Sequence, residues 1–510
     1  MIYKKLALSL FSFFSFCNGY AQKSTNDLKN WQNMDLATDR VYGISMEKAY
    51  SKLLNGKKSV PVIVAVIDGG IDINHEDLKS VIFFNPKELP GNSKDDDANG
   101  YVDDINGWNF IGSSKGSFQY DNIDLVRLLR AELNKSPSSA KGKELQSKLD
   151  DYIFPLQKEM KAVEIQRELL YSMVKSIGKE NPTQEEWRNY HCKSEDETMM
   201  QITIVKALKD KIDFLTFKSN LDGRYGKLKY QLAYLVNINY DPRAGNKEYQ
   251  RKCYGNTDII GEEPGHGTHV AGILAADRSN NIGIKGVAKD VKIMSLRAVP
   301  IGEAYDKDIA NSIRYAVDNG AKVINLSLIT SFSPDKEVID NAVKYAMLND
   351  VLIVHGAGNE GIEQKSDSYP NKKYLNGEEA KAWIEVGASG WKDDQSLLSA
   401  FSTYGKNTID VFAPGVDIYS TWPNNRYLKL SGTSMAAPVV SALAAEIRSY
   451  YPALKATEVK DIIMKTVVKP DHKVKNNLGE ELFFSDLCLS GGIVNAYKAF
   501  SVLRKQEISR

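Results

Sequence analysis

Two hydrophobic patterns alternate along much of the chain. Residues 60–67 form a continuous, mostly β-branched apolar run that ends at Asp68, which is typical of a strand buried in a parallel sheet. After residue 280, similar runs alternate with segments of helical spacing, which predicts an α/β domain with a doubly wound, mostly parallel sheet. The predicted strands are 291–296, 322–328, 351–355, 382–387 and 409–412, and the predicted helices are 308–319, 336–349, 434–451, 456–466 and 494–503.

The middle of the chain lacks the strand pattern. Its apolar residues recur at helical spacing, and Lys and Glu fill the other positions, which indicates amphipathic helices. We therefore expect a helical insertion at 113–255 within a domain formed by 42–112 and 256–505. The apolar positions are Leu125, Leu128, Leu129 and Leu133, then Ile165, Leu169, Met173 and Ile177, and then Ile202, Val205, Leu208 and Ile212.

The first 21 residues have the pattern of a secretory signal peptide. Lys4 and Lys5 precede a short apolar run at 6–17, and a small residue, Ala21, follows at the spacing of a cleavage site. The apolar run is too short to cross a bilayer. We expect cleavage near Ala21, a secreted or periplasmic protein, and an N-terminal arm at the polar residues 22–41.

Charge and cysteine content narrow the classes of function. The chain has 66 Lys and Arg against 65 Asp and Glu, so nothing favours a nucleic-acid or membrane-surface partner. We expect no membrane span after the signal peptide. Three cysteines follow it, an odd number that excludes a disulfide framework. Two alternatives stay open. Either Cys192 and Cys253 form a disulfide bridge, or these two and Cys488 are three isolated thiols.

Three segments carry residues suited to nucleophilic catalysis. Asp68 follows the first strand, His266 lies in a Gly-rich segment that starts a helix, and Ser434 starts another helix. A Ser hydroxyl needs an adjacent base, and a His can accept its proton and return it to a leaving amine. A buried carboxylate can orient that His, while a helix N-terminus offers N–H groups to a developing oxyanion.

These segments, in the order Asp, His, Ser, resemble the signature segments of the subtilisin family of serine peptidases. The segments 323–328, 354–361, 400–405 and 410–415 are also similar to that family. The resemblance covers roughly residues 42–110 and 255–505, and it implies an α/β fold and serine endopeptidase activity on peptide or protein substrates.

The resemblance also implies roles for single residues. Asp68 would be the orienting acid, His266 the general base, Ser434 the nucleophile and Asn359 the side-chain donor to the oxyanion. Ile329 stands where the family usually has Gly, so we expect it to narrow the cleft. The residues expected to bind substrate are Ser327, Leu328, Ile329, Gly356 and Ala357.

No cofactor is expected for the chemistry, but structural calcium is a candidate. The resemblance implies Asp77 as a carboxylate ligand, with Asn281 as its partner. A second candidate loop places hard oxygen ligands at alternate positions, as calcium loops do, although a solvated acidic turn would have the same composition. Its candidate ligands are Asp95, Asp97, Asn99 and Asp103.

Two other functions remain open from the sequence. The same catalytic residues could transfer the acyl group to an amine and act as a peptide ligase. Alternatively, the protein could be catalytically silent and bind partners through the predicted helices. Analysis of reaction products separates the first from hydrolysis, and covalent labelling of Ser434 separates the second.

Overall fold

The computed structural model describes residues 28–364 and 368–508. The predicted signal peptide and its cleavage site near Ala21 lie outside these residues. The described chain forms two compact units, one at Leu125–Asp241 and a larger one that comprises 28–124 and the described residues from Pro242 onward. The helical unit is therefore narrower than the predicted insertion at 113–255, because residues 113–124 and 242–255 belong to the larger unit.

The strands of the described residues all belong to the larger unit. They are β1 (Val62–Asp68), β2 (Gly107–Asn109), β3 (Gly112–Ser113), β4 (Gly116–Ser117), β5 (Val291–Arg297), β6 (Val323–Leu326), β7 (Leu352–Gly356), β8 (Trp383–Ser389), β9 (Val411–Pro414), β10 (Ile418–Trp422), β11 (Arg426–Leu430), β12 (Lys473–Lys475) and β13 (Glu481–Phe483). Seven of them form one parallel sheet in the order β2-β5-β1-β6-β7-β8-β9. The remaining strands form the antiparallel pairs β3-β4, β10-β11 and β12-β13.

The α-helices belong to both units. In chain order they are α1 (Leu36–Asp39), α2 (Met46–Ala49), α3 (Asp124–Lys135), α4 (Ala140–Ile177), α5 (Gln184–Asn189), α6 (Glu195–Lys209), α7 (Phe214–Tyr230), α8 (Gly265–Ala275), α9 (Asp306–Asp318), α10 (Lys336–Leu348), α11 (Thr433–Tyr450), α12 (Ala456–Lys465) and α13 (Ala496–Ile508). Helices α4 to α7 lie within the smaller unit, and α3 begins one residue before it. None of the described helices is long and apolar enough to cross a bilayer.

The parallel sheet is covered by helices on both faces. Successive side chains of a strand point to opposite faces, and β1 is apolar on both. Val64 and Val66 join a core cluster with α8 and α11, whereas Ala65 and Ile67 join a second cluster with α9 and α10. The predicted doubly wound α/β fold is confirmed. Its layers bring the C-terminal ends of β1, β6 and β7 to the same edge as the N-terminal ends of α8 and α11.

The N-terminal arm is packed from the first described residues onward. Trp31 is buried, and its Nε1 donates a hydrogen bond to the carbonyl oxygen of Val416 at 3.1 Å. Asn33 donates to the carbonyl oxygen of Lys285 at 2.9 Å. The sequence suggested only a polar arm here, because most of its residues are polar. A single buried tryptophan nevertheless packs this arm against the rest of the larger unit.

The smaller unit has its own apolar core. Ile165 and Ile202, which the sequence pattern placed on apolar faces, are instead 49% and 55% exposed. In α4 the predicted Met173 is buried together with Leu170, and in α6 the buried apolar residues include Met200 and Ile204. The core residues are Leu170, Met173, Trp187, Met200, Ile204 and Phe214.

The cysteines of the described residues are free thiols. Cys192 and Cys253 are partly exposed, and Cys488 is buried. The alternative of a bridge between Cys192 and Cys253 is therefore not realised in this structure.

Candidate active site

An aspartate and a histidine meet at the C-terminal edge of the sheet. Asp68 ends β1 and is 4% exposed, and His266 lies in the first turn of α8. The Nδ1 of His266 is 2.9 Å from Oδ2 of Asp68 and 3.0 Å from Oδ1. The backbone N–H of Gly69 donates to Oδ1 of Asp68 at 2.7 Å. A carboxylate acceptor at Nδ1 places a hydrogen on that nitrogen and leaves the lone pair of Nε2 free to accept a proton.

The start of α8 approaches β1 closely because it is rich in glycine. A Cβ at Gly267 would overlap the carbonyl oxygen of Gly70 and would lie 3.2 Å from the Cβ of Asp68. A Cβ at Gly265 would overlap the ring of Trp422. The glycines that flank His266 therefore allow its ring to reach Asp68.

The environment of His266 favours its charged form. Burial by itself lowers the pKa of His266, but the charge of Asp68 and its hydrogen bond raise it by more, so the pKa lies above the ordinary value of 6.5. The His266 side chain is still 43% exposed, so the ring is open to the cleft. A base held in this way can accept a proton and remain stabilised as an imidazolium.

Ser434 lies at the second position of α11, directly after Gly432 and Thr433. Its Oγ donates a long hydrogen bond of 3.4 Å to the carbonyl oxygen of Ser327. Within the described residues, no hydrogen bond joins this hydroxyl to His266. In ligand-free catalytic sites the hydrogen bonds of the reacting groups are often long and tighten only when substrate binds.

Asn359 is oriented by the start of the same helix. Its Oδ1 accepts hydrogen bonds from the backbone N–H of Thr433 at 2.9 Å and from the Thr433 hydroxyl at 3.2 Å. These donors fix the amide so that Nδ2 points away from them. A Cβ built on Gly432 would lie 3.7 Å from both Nδ2 of Asn359 and the backbone nitrogen of Ser434. Two N–H donors thus flank one small space, as stabilisation of an oxyanion requires.

A cleft joins these groups. Its larger cavity, of about 660 Å³, is lined by Asp68 and His266 among others, and its smaller cavity, of about 170 Å³, is lined by Asn359 and Ser434. Three residues line both cavities, so the two adjoin. They are Ser327, Leu328 and Ile329.

The other two residues predicted to bind substrate differ from each other. Gly356 lines the smaller cavity, where a Cβ would lie 3.1 Å from the carbonyl oxygen of Thr433. Ala357 is 1% exposed and is absent from the lining of both cavities. Successive residues at the end of β7 face opposite sides of the sheet, so Ala357 faces away from the side on which Gly356 lines the cavity.

Several cleft residues were not identified from the sequence. Glu360 lies in the smaller cavity, where its Oε2 accepts a hydrogen bond from Thr403 at 2.6 Å. Glu262, Glu263 and Trp422 line the larger cavity. Glu360 directly follows Asn359, so proximity could have suggested it. Trp422 comes from the β10-β11 hairpin, which had no comparable signal.

The first predicted calcium pair is arranged differently from the expectation. Asp77 is fully buried, and its Oδ1 accepts a hydrogen bond from Asn280 at 2.7 Å while Oδ2 accepts from the backbone of Ile284 at 3.1 Å. Burial raises the pKa of Asp77. Asn281 has a left-handed backbone, with φ of 59°, and Asn280 takes the place beside Asp77. Calcium binding by Asp77 and Asn281 stays a prediction.

The acidic loop brings only part of its predicted ligands together. Carboxylate oxygens of Asp95, Asp97 and the buried Glu88 lie within 4.8 Å of one another, so these three can hold a metal ion. Asp103 faces elsewhere, and its oxygens accept backbone N–H groups of residues 91–93. The amide of Asn99 bonds to neighbouring loop residues. Glu88 lies outside the acidic run, so the sequence pattern alone did not indicate it.

Comparison with known proteins agrees with the α/β fold of the larger unit. A model of the subtilase family matches residues 61–481. Subtilisin DY of Bacillus licheniformis is 34% identical over 238 residues, 46% of this chain and 77% of that protein. Thermitase of Thermoactinomyces vulgaris is 36% identical over 255 residues, 49% of this chain and 81% of that protein. A thermophilic serine proteinase of Bacillus sp. (strain AK1) is 44% identical over 185 residues, which span 36% of this chain and only 42% of that proteinase. The chain belongs to the subtilase family of serine-type endopeptidases.

Proposed function

We propose that this protein hydrolyses peptide bonds through an acyl-enzyme on Ser434, with His266 as general base and Asp68 as orienting acid. The observation that carries the proposal is the 2.9 Å hydrogen bond between His266 and the buried Asp68, on the wall of a cleft that continues to Ser434. Such a pair supplies the base that a serine hydroxyl lacks.

The proposed chemistry proceeds in two halves. In the first, Oγ of Ser434 attacks the substrate carbonyl while Nε2 of His266 takes its proton, and Asp68 stabilises the resulting imidazolium. The new oxyanion accepts hydrogen bonds from Nδ2 of Asn359 and from the backbone N–H of Ser434. His266 then gives its proton to the leaving amine. In the second half, water repeats the sequence on the acyl-enzyme and releases the acid.

We expect peptide substrates to bind in an extended form. The segment Ser327–Ile329 continues the direction of β6 and lines both cavities, so an extended peptide can pair with it as an added strand. The carbonyl to be attacked would then lie beside Asn359, and the side chain of the same residue would enter the smaller cavity.

A labelling experiment tests the proposal. A fluorophosphonate probe should label the purified wild-type protein and fail to label Ser434→Ala, while Ser51→Ala, which changes an exposed serine outside the lining of the cleft, should retain labelling. Labelling that persists in Ser434→Ala would exclude this nucleophile. Mass spectrometry of products from a defined peptide then separates hydrolysis from acyl transfer, since transfer to an amine gives ligated peptides.

We also propose export and calcium binding. The pattern of Lys4, the apolar run 6–17 and Ala21 supports a cleaved signal peptide, and N-terminal sequencing of protein exported by the host should then begin after Ala21.

Glu88, together with Asp95 and Asp97, has the oxygen donors that Ca²⁺ prefers. A bound ion would stabilise the loop and has no step in the chemistry.

A further inference from the structure

A buried histidine that the proposed chemistry does not use lies beneath the cleft. His355 is on β7, and its side chain has no exposed surface. Its Nε2 is 2.7 Å from the carbonyl oxygen of Leu328, and its Nδ1 is 2.7 Å from Oε1 of Glu385 on β8. Because Leu328 lines both cavities, the ring connects the centre of the sheet to the wall of the cleft.

The acceptors around the ring determine where its hydrogens lie. A carbonyl oxygen only accepts, so Nε2 carries a hydrogen and donates it to Leu328. One further hydrogen lies between Nδ1 and Glu385, since two lone pairs would otherwise face each other at 2.7 Å. The other oxygen of Glu385 accepts from Nε1 of Trp383 at 2.9 Å, which fixes the carboxyl group. Glu385 therefore keeps the ring aimed at Leu328.

The hydrogen bond from His355 fixes the buried side of the segment Ser327–Ile329, which is called the cleft wall below. The carbonyl oxygens of Ser327 and Leu328 point to different partners, the first toward the hydroxyl of the nucleophile and the second toward His355. Beyond them, Thr330 exchanges backbone hydrogen bonds with Tyr369 at 2.8 and 3.0 Å. The segment is thus anchored at residues 328 and 330, and these two contacts hold the main chain of Ser327–Ile329 that an extended peptide would meet.

We propose that His355 is a positioning residue for substrate, because it holds the Leu328 carbonyl and so keeps the cleft wall in register for pairing with an extended peptide. The inference rests on the proposed peptidase function. A peptide that pairs with the wall over several residues depends on this register. A small activated ester needs only the nucleophile, the base and the oxyanion donors. The two kinds of substrate therefore separate positioning from chemistry.

The experiment compares wild-type protein with His355→Leu and His355→Gln. Leucine fills the space without a hydrogen bond, whereas the amide of glutamine can donate to Leu328 again. We would measure kcat/KM for a hexapeptide substrate and for p-nitrophenyl acetate, with the concentration of active sites taken from fluorophosphonate labelling. We expect His355→Leu to lower kcat/KM about tenfold for the peptide, mainly through KM, and less than about twofold for the ester. Glutamine should restore most of the loss.

Each outcome decides a different point. Equal losses for peptide and ester, or an unchanged peptide rate in His355→Leu, would overturn the positioning role. A wild-type protein that neither reacts with the probe nor cleaves either substrate would refute the peptidase function instead. If His355→Leu is insoluble because Oε1 of Glu385 loses its partner, the double variant His355→Leu/Glu385→Leu allows the same comparison, since it removes the buried carboxyl group as well.

Discussion

The side-chain oxygen of Asn359 accepts a hydrogen bond from the backbone N–H of Thr433, the residue before the proposed nucleophile. The amide is therefore held by the helix that carries Ser434, so the proposed donor and nucleophile keep a fixed spacing. An oxyanion donor stabilises mainly the transition state. Its loss is therefore expected to lower kcat and to leave KM almost unchanged.

Asn359→Ala should lower kcat by about 10²–10³ and change KM little, because the hydrogen bond from Nδ2 to the substrate oxygen would form only in the transition state. Steady-state kinetics on a peptide substrate would measure both constants. Asn349→Ala, which alters an exposed asparagine at the end of α10, is the matched control and should behave like the wild type. A loss in Asn359→Ala that falls wholly on KM would contradict the assigned role.

Activity should depend on the protonation of His266. Asp68 raises the pKa of His266 above 6.5, and the neutral ring is the proposed base, so kcat/KM should be lost as pH falls through a midpoint above 6.5. Asp68→Asn should lower kcat by roughly 10⁴ and move the midpoint to lower pH, since burial alone lowers the pKa. A pH profile of kcat/KM tests both effects. Asp72→Asn, close by in the chain, should leave rate and midpoint unchanged.

Ile329 should restrict the side chain next to the cleaved bond. Its Cδ1 lies 3.0 Å from the position of a Cβ on Gly358, so it occupies part of the cavity beside Ser434. Ile329→Gly should therefore raise kcat/KM for peptides with phenylalanine before the cleaved bond, relative to alanine, by about tenfold. Leu375→Gly removes an exposed side chain of similar size and should not change this ratio. An unchanged ratio in Ile329→Gly would exclude the restriction.

Calcium should stabilise the protein through the acidic loop. At a concentration of 100 Kd, a ligand that binds only the folded state adds about 2.7 kcal/mol to the free energy of unfolding. We expect calcium to raise Tm in the wild type and a chelator to reverse this, while Asp97→Asn with Glu88→Gln abolishes the response. Asp471→Asn, an exposed carboxylate, should keep it. If the double variant responds like the wild type, calcium binds elsewhere.

Arg243 should be important for the stability of the larger unit. Its guanidinium is buried and lies 3.0 Å from Asp121 and 2.6 Å from Asp308. Arg243→Ala should lower the free energy of unfolding by about 3–5 kcal/mol, because two buried carboxylates lose their partner. Denaturant titration measures this change. Lys465→Ala, which removes an exposed ion pair of the same unit, should lower this free energy far less.

The sequence predicted the elements that have a strong local pattern. The strand before Asp68 and the helix that begins beside Ser434 were recognisable because continuous apolar runs and glycine-rich turns are local signals. The short strand β2 and the β10-β11 hairpin were missed, since their stability depends on tertiary packing rather than on local composition.

Parts of the site could not be derived from spacing. Glu88 joins Asp95 and Asp97 only through the fold of the loop, and Asn280 replaces Asn281 beside Asp77 because the loop follows a different path. The hydrogen bond between His355 and Leu328 connects β7 to the segment that follows β6, and no sequence pattern predicts such a contact.

Helix α11 is buried along almost its whole length, from Thr433 to Ser449. A peptidase at high concentration can digest itself, and cleavage requires a segment to leave the fold and become extended. Segments at the centre of a core open only with the whole molecule, whereas surface segments open at little cost. Autolysis would therefore begin at peripheral segments, and a nicked molecule would still hold the proposed nucleophile, Ser434, in place.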